Sequence, residues 1–201
     1  MSAERTCTEY IFIKGNGVEV TERPLIVANE YNTYVFLNGS ATPFITLNAG
    51  EYLALSGADF SSAGNLYVRT SKKAFAYQGI GGTSAQQNQN MHFVPPLSCE
   101  TPKIINNIPF INEVGSNTDF IGTVCIVTET GASLTFIING ITYSLASLPG
   151  ITVNGPLNVT GNANFVTYTF EGLTGNISVF STKQVYLSYF GSSGAATYGG
   201  F

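Results

Sequence analysis

The 201-residue chain holds a single histidine, His92, three cysteines, Cys7, Cys99 and Cys125, and two aspartates, Asp59 and Asp119. One imidazole excludes sites built on paired histidines, including the HExxH zinc motif. A serine triad would have to join His92 to an aspartate or to one of ten glutamates, and no GxSxG elbow presents the serine. His92 and Cys99 stand on either side of Pro95-Pro96, but as a thiol–imidazole pair they lack a recognisable oxyanion hole. Glu30, Glu51, Glu129 and Glu171 lie near the ends of apolar runs, where two carboxylates could flank a glycosidic bond. Solvated strand ends explain them as well, and the chain has no tryptophan on which to stack a sugar. The expectation is a protein that is not an enzyme.

Binding residues are easier to find. The stretch QQNQNMHF, from Gln86, brings Gln86, Gln87, Asn88, Gln89 and Asn90 beside His92, and Tyr77 lies a short way before it. Amides donate and accept together, which suits sugar hydroxyls or a peptide backbone, and the rings of Tyr77 and His92 offer flat surface. The competing reading is a polar connection that serves only its own backbone. Tyr31, Tyr34, Tyr52, Tyr67, Tyr77, Tyr168, Tyr186 and Tyr189 fall in alternating runs, as core residues or as a stacking stripe.

No CxxC spacing exists, so neither a metal centre nor a cofactor is expected. Two isolated aspartates cannot build an acidic calcium loop, which leaves Ca2+ only a site of backbone carbonyls, Asn side chains and one acid. Cys99 and Cys125 flank 25 residues, and a bridge between them would contribute about 3.5 kcal/mol by loop entropy. Cys7 is the alternative partner.

Charged residues make up 10% of the chain and the net charge is −4, with Lys72-Lys73 the longest basic run. Nothing there matches a phosphate backbone, so nucleic acid is excluded as the main partner. No apolar run reaches the roughly 20 residues that a membrane-crossing helix needs, and membrane insertion is not expected. Low charge with abundant Gly, Asn, Ser, Thr and aromatics fits an exported β protein. The start MSAERTCTEYIFIKGNG enters an apolar run within ten residues and reads as a fragment of a longer exported protein whose neighbouring domains are partners in the same chain.

The residues above must be positioned by strands. YIFIKG, PLIVANE, TYVFLNG, FITLNAGEYLALSG and NLYVRTSKKAFAYQG alternate with period two and stop at Gly or Asn-Gly turns, while no window carries a capped helical period. The order then repeats. IVANEYNTYVFLNG (from Ile26) is echoed by IVTETGASLTFIING (from Ile126), and GNLYVRTSKKAFAYQG (from Gly64) by GNISVFSTKQVYLSYFG (from Gly175). The sequence therefore predicts an all-β protein of two tandem, internally duplicated β-sandwich-like units, 1–98 and 99–201, either separate or packed as one domain. A propeller-like array is the alternative. The stretch from Tyr77 to Cys99 is the expected seam, because Pro95-Pro96 cannot continue a ladder.

The blocks ANEYNTYVFLNG (from Ala28), LNAGEYLALSG (from Leu47), NLYVRTSKKAFAYQ (from Asn65), FVPPLSC (from Phe93), NNIPFINEVG (from Asn106) and YFGSSGAATYGGF (from Tyr189) resemble the N-terminal domain of the IgGFc-binding protein family, in the bacterial form found in gliding Bacteroidetes. The resemblance implies a secreted or cell-surface module of a large protein that acts in adhesion and binds glycans or glycoproteins. It carries no catalytic mechanism and no ligand residues. A structural spacer and an accessory domain of a carbohydrate-active enzyme are the other functions weighed.

Overall fold

The computed structural model describes residues 7–15, 17, 21–80, 90–98, 101–194 and 196–200. In the first half, β1 (Cys7–Ile13), β2 (Pro24–Ala28), β3 (Thr33–Leu37), β4 (Ile45–Leu47), β5 (Tyr52–Ala54), β6 (Asn65–Ile80) and β7 (Asn90–Phe93) join in a single antiparallel sheet. The 16-residue β6 is its spine. The first part of β6 pairs mainly with β1 and β3, and its last part with β2 and β7. The strand thus passes through both layers of a sandwich.

The second half holds β8 (Ile104–Ile108), β9 (Ile121–Glu129), β10 (Leu134–Ile138), β11 (Ile141–Ser144), β12 (Thr152–Asn158), β13 (Phe165–Leu173), β14 (Ile177–Ser181), β15 (Val185–Ser193) and β16 (Ala196–Gly200). They form two sheets, ordered β11-β10-β14-β8 and β12-β13-β9-β15-β16. Here the spine is cut at Thr182–Gln184, so β14 and β15 divide the role of β6. With that change, and with β12 added beside β13, the pairings correspond: β4-β3-β6-β1 to β11-β10-β14-β8, and β5-β2-β6-β7 to β13-β9-β15-β16. The repetition read in the sequence is therefore also a repetition of topology.

One local device shows how closely the halves agree. Asn38 and Asn139 both adopt positive φ before a glycine, Asn139 in the two-residue hairpin turn of β10 and β11 and Asn38 in a tight turn that ends β3. Asn38 donates its N–H to the Tyr67 carbonyl and accepts the Tyr67 N–H on Oδ1; Asn139 does the same with Asn176. The sequence echo aligned Asn65 with Asn176, two residues away. A slip of two keeps every side chain on its face.

Each half closes its own core. Tyr10, Phe12, Ile26, Val35, Leu66 and Val68 fill the first, and Ile126, Phe136, Phe170, Leu173, Ile177 and Val179 the second, where the rings of Phe136 and Phe170 lie 4.6 Å apart. Two strands are buried on both sides. In β1, Tyr10 and Phe12 enter the first core while Ile11 and Ile13 face the other half; in β9, Val124 and Ile126 enter the second core while Cys125 and Val127 face the first half. Unbroken apolar runs such as YIFI and VCIV are what two-sided burial requires.

The contact between halves is a small apolar cluster of Ile11, Tyr67, Val127, Val159 and Tyr186. Fully buried Asn65 donates from Nδ2 to the Asn158 carbonyl and to Thr167 Oγ1, both 3.1 Å away. Gly39 and Gly161 meet so closely that a Cβ on Gly161 would lie 2.3 Å from the Asn38 carbonyl carbon. The chain crosses over at 94–103. Leu97 N–H bonds to Glu9, and the Tyr186 hydroxyl both accepts from Ser98 N–H and donates to its carbonyl.

The expected seam at Tyr77–Cys99 is shorter than predicted. Ile80 pairs with Asn90 and Tyr77 with Phe93, so the amide-rich segment is the connection of a β-hairpin within the first sheet. The chain leaves the sheet at Pro95-Pro96, as their missing donors require.

Candidate functional site

Gln86, Gln87, Asn88 and Gln89 lie outside the described residues, and only the backbone of Asn90 is described. Of the remaining expected binding residues, Tyr77 and His92 are on neighbouring strands but on opposite faces. Tyr77 points outward, edge-on to Phe93 with ring centroids 5.8 Å apart, whereas His92 is 8% exposed and points inward. Hairpin pairing does not bring these two rings to one surface.

His92 and Cys125 instead line one small cavity of about 30 Å3, with Gln78, Ser188, Ile11 and Ile13. Beneath it Glu22, fully buried, accepts N–H groups from Gly15 (2.9 Å) and Gly17 (2.8 Å) and the Gln78 amide (3.2 Å). Gln78 Nε2 also donates to the Ile13 carbonyl at 2.7 Å. Burial raises the Glu22 pKa against the lowering effect of these donors. It pushes His92 down to about 4, and Nδ1 has no hydrogen-bond partner among the described residues. It pushes the Cys125 thiol up to about 12. A nucleophilic thiolate–imidazolium pair needs the opposite shifts. The His92 imidazole and the Cys125 thiol are neutral parts of the junction.

Cys125, expected to bridge Cys99, carries a free thiol that lies 4.0 Å from Thr169 Oγ1; Cys99 lies outside the described residues. The glutamates of the second half do not converge, and Glu51 serves its own turn. Glu51 accepts the Asn48 N–H of its own turn, and Glu171 pairs with Thr123 while Glu129 pairs with Phe165 at the other end of the same ladder. Six residues of strand separate them by about 20 Å, too far to act on one glycosidic bond. Among the described residues no group of three or more His, Cys, Asp or Glu side chains could hold a metal ion. The tyrosines divide: Tyr67, Tyr168 and Tyr186 are buried, Tyr31, Tyr34 and Tyr52 exposed.

One surface able to hold a ligand is an open cleft of about 650 Å3 along the junction. Its walls are Glu9 and Leu97-Ser98 on one side, and Glu129-Thr130, Ala163–Phe165, Lys183-Gln184 and Tyr186 on the other. Three turns place these groups. Thr130 donates to the Ala163 carbonyl at 2.9 Å, and Lys183 Nζ donates to the Thr130 carbonyl at 2.6 Å while lying 3.8 Å from the Glu129 carboxylate. Phe165 and Tyr186 meet edge-to-face, 6.4 Å apart. Carboxylates, an ammonium, amides and hydroxyls thus surround a small aromatic floor. Sequence reading named Glu129 and Tyr186 for other reasons and missed the rest, because the residues of one turn acquire a partner wall only when the halves pack.

The IgGFc binding protein family model matches residues 1–191. The chain belongs to this family. No curated protein and no solved structure matches it. The family is one of extracellular ligand-binding domains and is not known for catalysis. Among the described residues of this family member, no helix is long and apolar enough to cross a membrane.

Proposed function

We propose that the chain is an extracellular adhesion module that binds glycans, free or on a glycoprotein, in the cleft between its halves. The observation that carries this reading is the lining of the cleft: acids, amides and a cation beside the Phe165–Tyr186 pair. Hydroxyl-rich ligands are recognised by such convergent donors and acceptors over an aromatic surface, and clefts between packed units are common binding sites. The family name speaks for a protein or glycoprotein ligand. A single shallow cleft binds weakly, and many modules on one cell surface raise the avidity.

The test is a glycan and matrix-glycoprotein array probed with the intact chain, with Phe165→Ala and Glu129→Gln, and with Gly-Ser in place of Gln86–Asn90. Binding lost in the first two variants and kept in the third supports the cleft. Loss in the third alone moves the site to the hairpin loop, and no binding by the intact chain favours a structural spacer.

A further inference from the structure

The two halves differ at one sheet edge. In the first, Val27 of β2 pairs with Tyr52 of β5 and Leu25 with Ala54, and β5 ends the sheet. In the second, Val127 of β9 pairs with Thr167 of β13 and Cys125 with Thr169, and β12 lies beyond them, with Leu157 opposite Thr167 and Asn154 opposite Thr169. The echo of Ile26 in Ile126 makes Tyr52 and Ala54 the counterparts of Thr167 and Thr169. β12 is carried by the connection 145–164 between β11 and β13, whereas β4 and β5 are joined by a single turn at 48–51. Among the described residues no strand pairs with the outer edge of β5.

The hydrogen-bonding phase of β5 leaves that edge open. Ala28 donates its N–H to the Glu51 carbonyl, and Leu55 donates its N–H to the Pro24 carbonyl. Alternation along an antiparallel ladder then turns Leu53 toward Ile26, and turns the N–H and C=O groups of Tyr52 and Ala54 away from β2. These four groups have no hydrogen-bond partner among the described residues. Beside them Tyr52, 66% exposed, and Ala54 line a groove of about 530 Å3 with Leu25, Gly79, Met91 and Arg23. Arg23 is the one charge of this set.

We infer that β5 takes up an extended segment of another protein as an added antiparallel strand, in the position that β12 holds in the second half. The open groups of Tyr52 and Ala54 supply the main-chain hydrogen bonds, and side chains of the segment opposite these two residues lie on the groove face. Apolar residues there cover Leu25 and Met91, and one acidic residue complements Arg23. The partner is a β-forming segment, apolar at alternate positions and acidic once on the same face.

Amide hydrogen exchange on the whole chain, followed residue by residue by NMR, tests it. The probes are blocked heptapeptides that alternate valine with threonine and carry one glutamate in place of each valine in turn, with a lysine series as control. In the free protein the amides of Tyr52 and Ala54 are expected to exchange freely while Leu53 is protected. With a glutamate peptide at about ten times its dissociation constant, both should slow about tenfold. Ala54→Pro removes an edge donor and leaves the β2 ladder intact, so it should abolish binding, and Arg23→Glu should reverse the preference between the two series. Near-ultraviolet circular dichroism checks that both variants fold; should Ala54→Pro not fold, the Arg23→Glu reversal carries the test alone. Edge amides already protected in the free protein, by a second copy or by another part of the chain, overturn the proposal. So do peptides of neither series slowing them, slowing that survives Ala54→Pro, or an unchanged preference in Arg23→Glu.

Discussion

Protonation of His92 gives the sharpest test of the junction. The imidazole is buried, Nδ1 has no partner among the described residues, and its pKa falls from 6.5 to about 4 because burial penalises the charged form. The unfolded chain therefore takes up the proton first as pH falls. Stability from this group is complete above about pH 6.5 and is lost on the way down to 4; a shift of about 2.5 units corresponds to about 3 kcal/mol. Glu22 works in the opposite direction. Its raised pKa means that the folded protein binds that proton before the unfolded chain does, so acidification relieves the cost of its buried charge. Comparison with His92→Phe cancels the Glu22 contribution. Urea unfolding of both proteins at pH 7, 5.5 and 4 should show the wild type losing about 3 kcal/mol more than the variant, most of it below pH 6. Parallel pH profiles would refute the argument, because a histidine that can be solvated or hydrogen-bonded as a cation would not penalise the folded state.

Other perturbations probe separate parts of the molecule. Asn65→Leu leaves the Asn158 carbonyl and Thr167 hydroxyl without their buried donor and should cost about 2–4 kcal/mol in urea unfolding. Gly161→Ala places a methyl against the Asn38–Gly39 backbone at a positive φ of 85° and should lower the melting temperature by the equivalent of about 1–3 kcal/mol. Phe136→Ala empties the centre of the second core and should cost about 3–5 kcal/mol, measured by the same melts. Cys125, 2% exposed with its pKa pushed up to about 12, should resist iodoacetamide at pH 8 until the chain is unfolded; peptide mapping that finds it alkylated in the native protein contradicts the packing of β9.

Much of the fold was legible because period-two patterning and Asn-Gly turns are local signals. Asn38-Gly39 and Asn139-Gly140 mark their turns by chemistry alone, and the echo between Ile26 and Ile126 marks equivalent strands. What depended on long-range pairing was less legible. Nothing near Gln78 says that His92 will lie opposite it, so QQNQN read as a seam and not as a hairpin connection. The cleft was the least legible part. Glu9, Asn164 and Lys183 are ordinary turn and strand-end residues, and they become one surface only through Asn65, Gly39 and Gly161, where the two halves touch.

The spine strand also sets the order in which the chain can mature. β1 leaves the ribosome early, yet Tyr10 must wait for Val68, about 60 residues later, before its ladder can form. At typical synthesis rates that interval is about 3–12 s, during which YIFI, apolar on both faces, has no partner strand from its own sheet. Ile108 of β8 waits as long for Ile177 of β14. Each half therefore exposes an adhesive edge during its own synthesis, and shielding of that segment until the spine is complete becomes a condition for its yield.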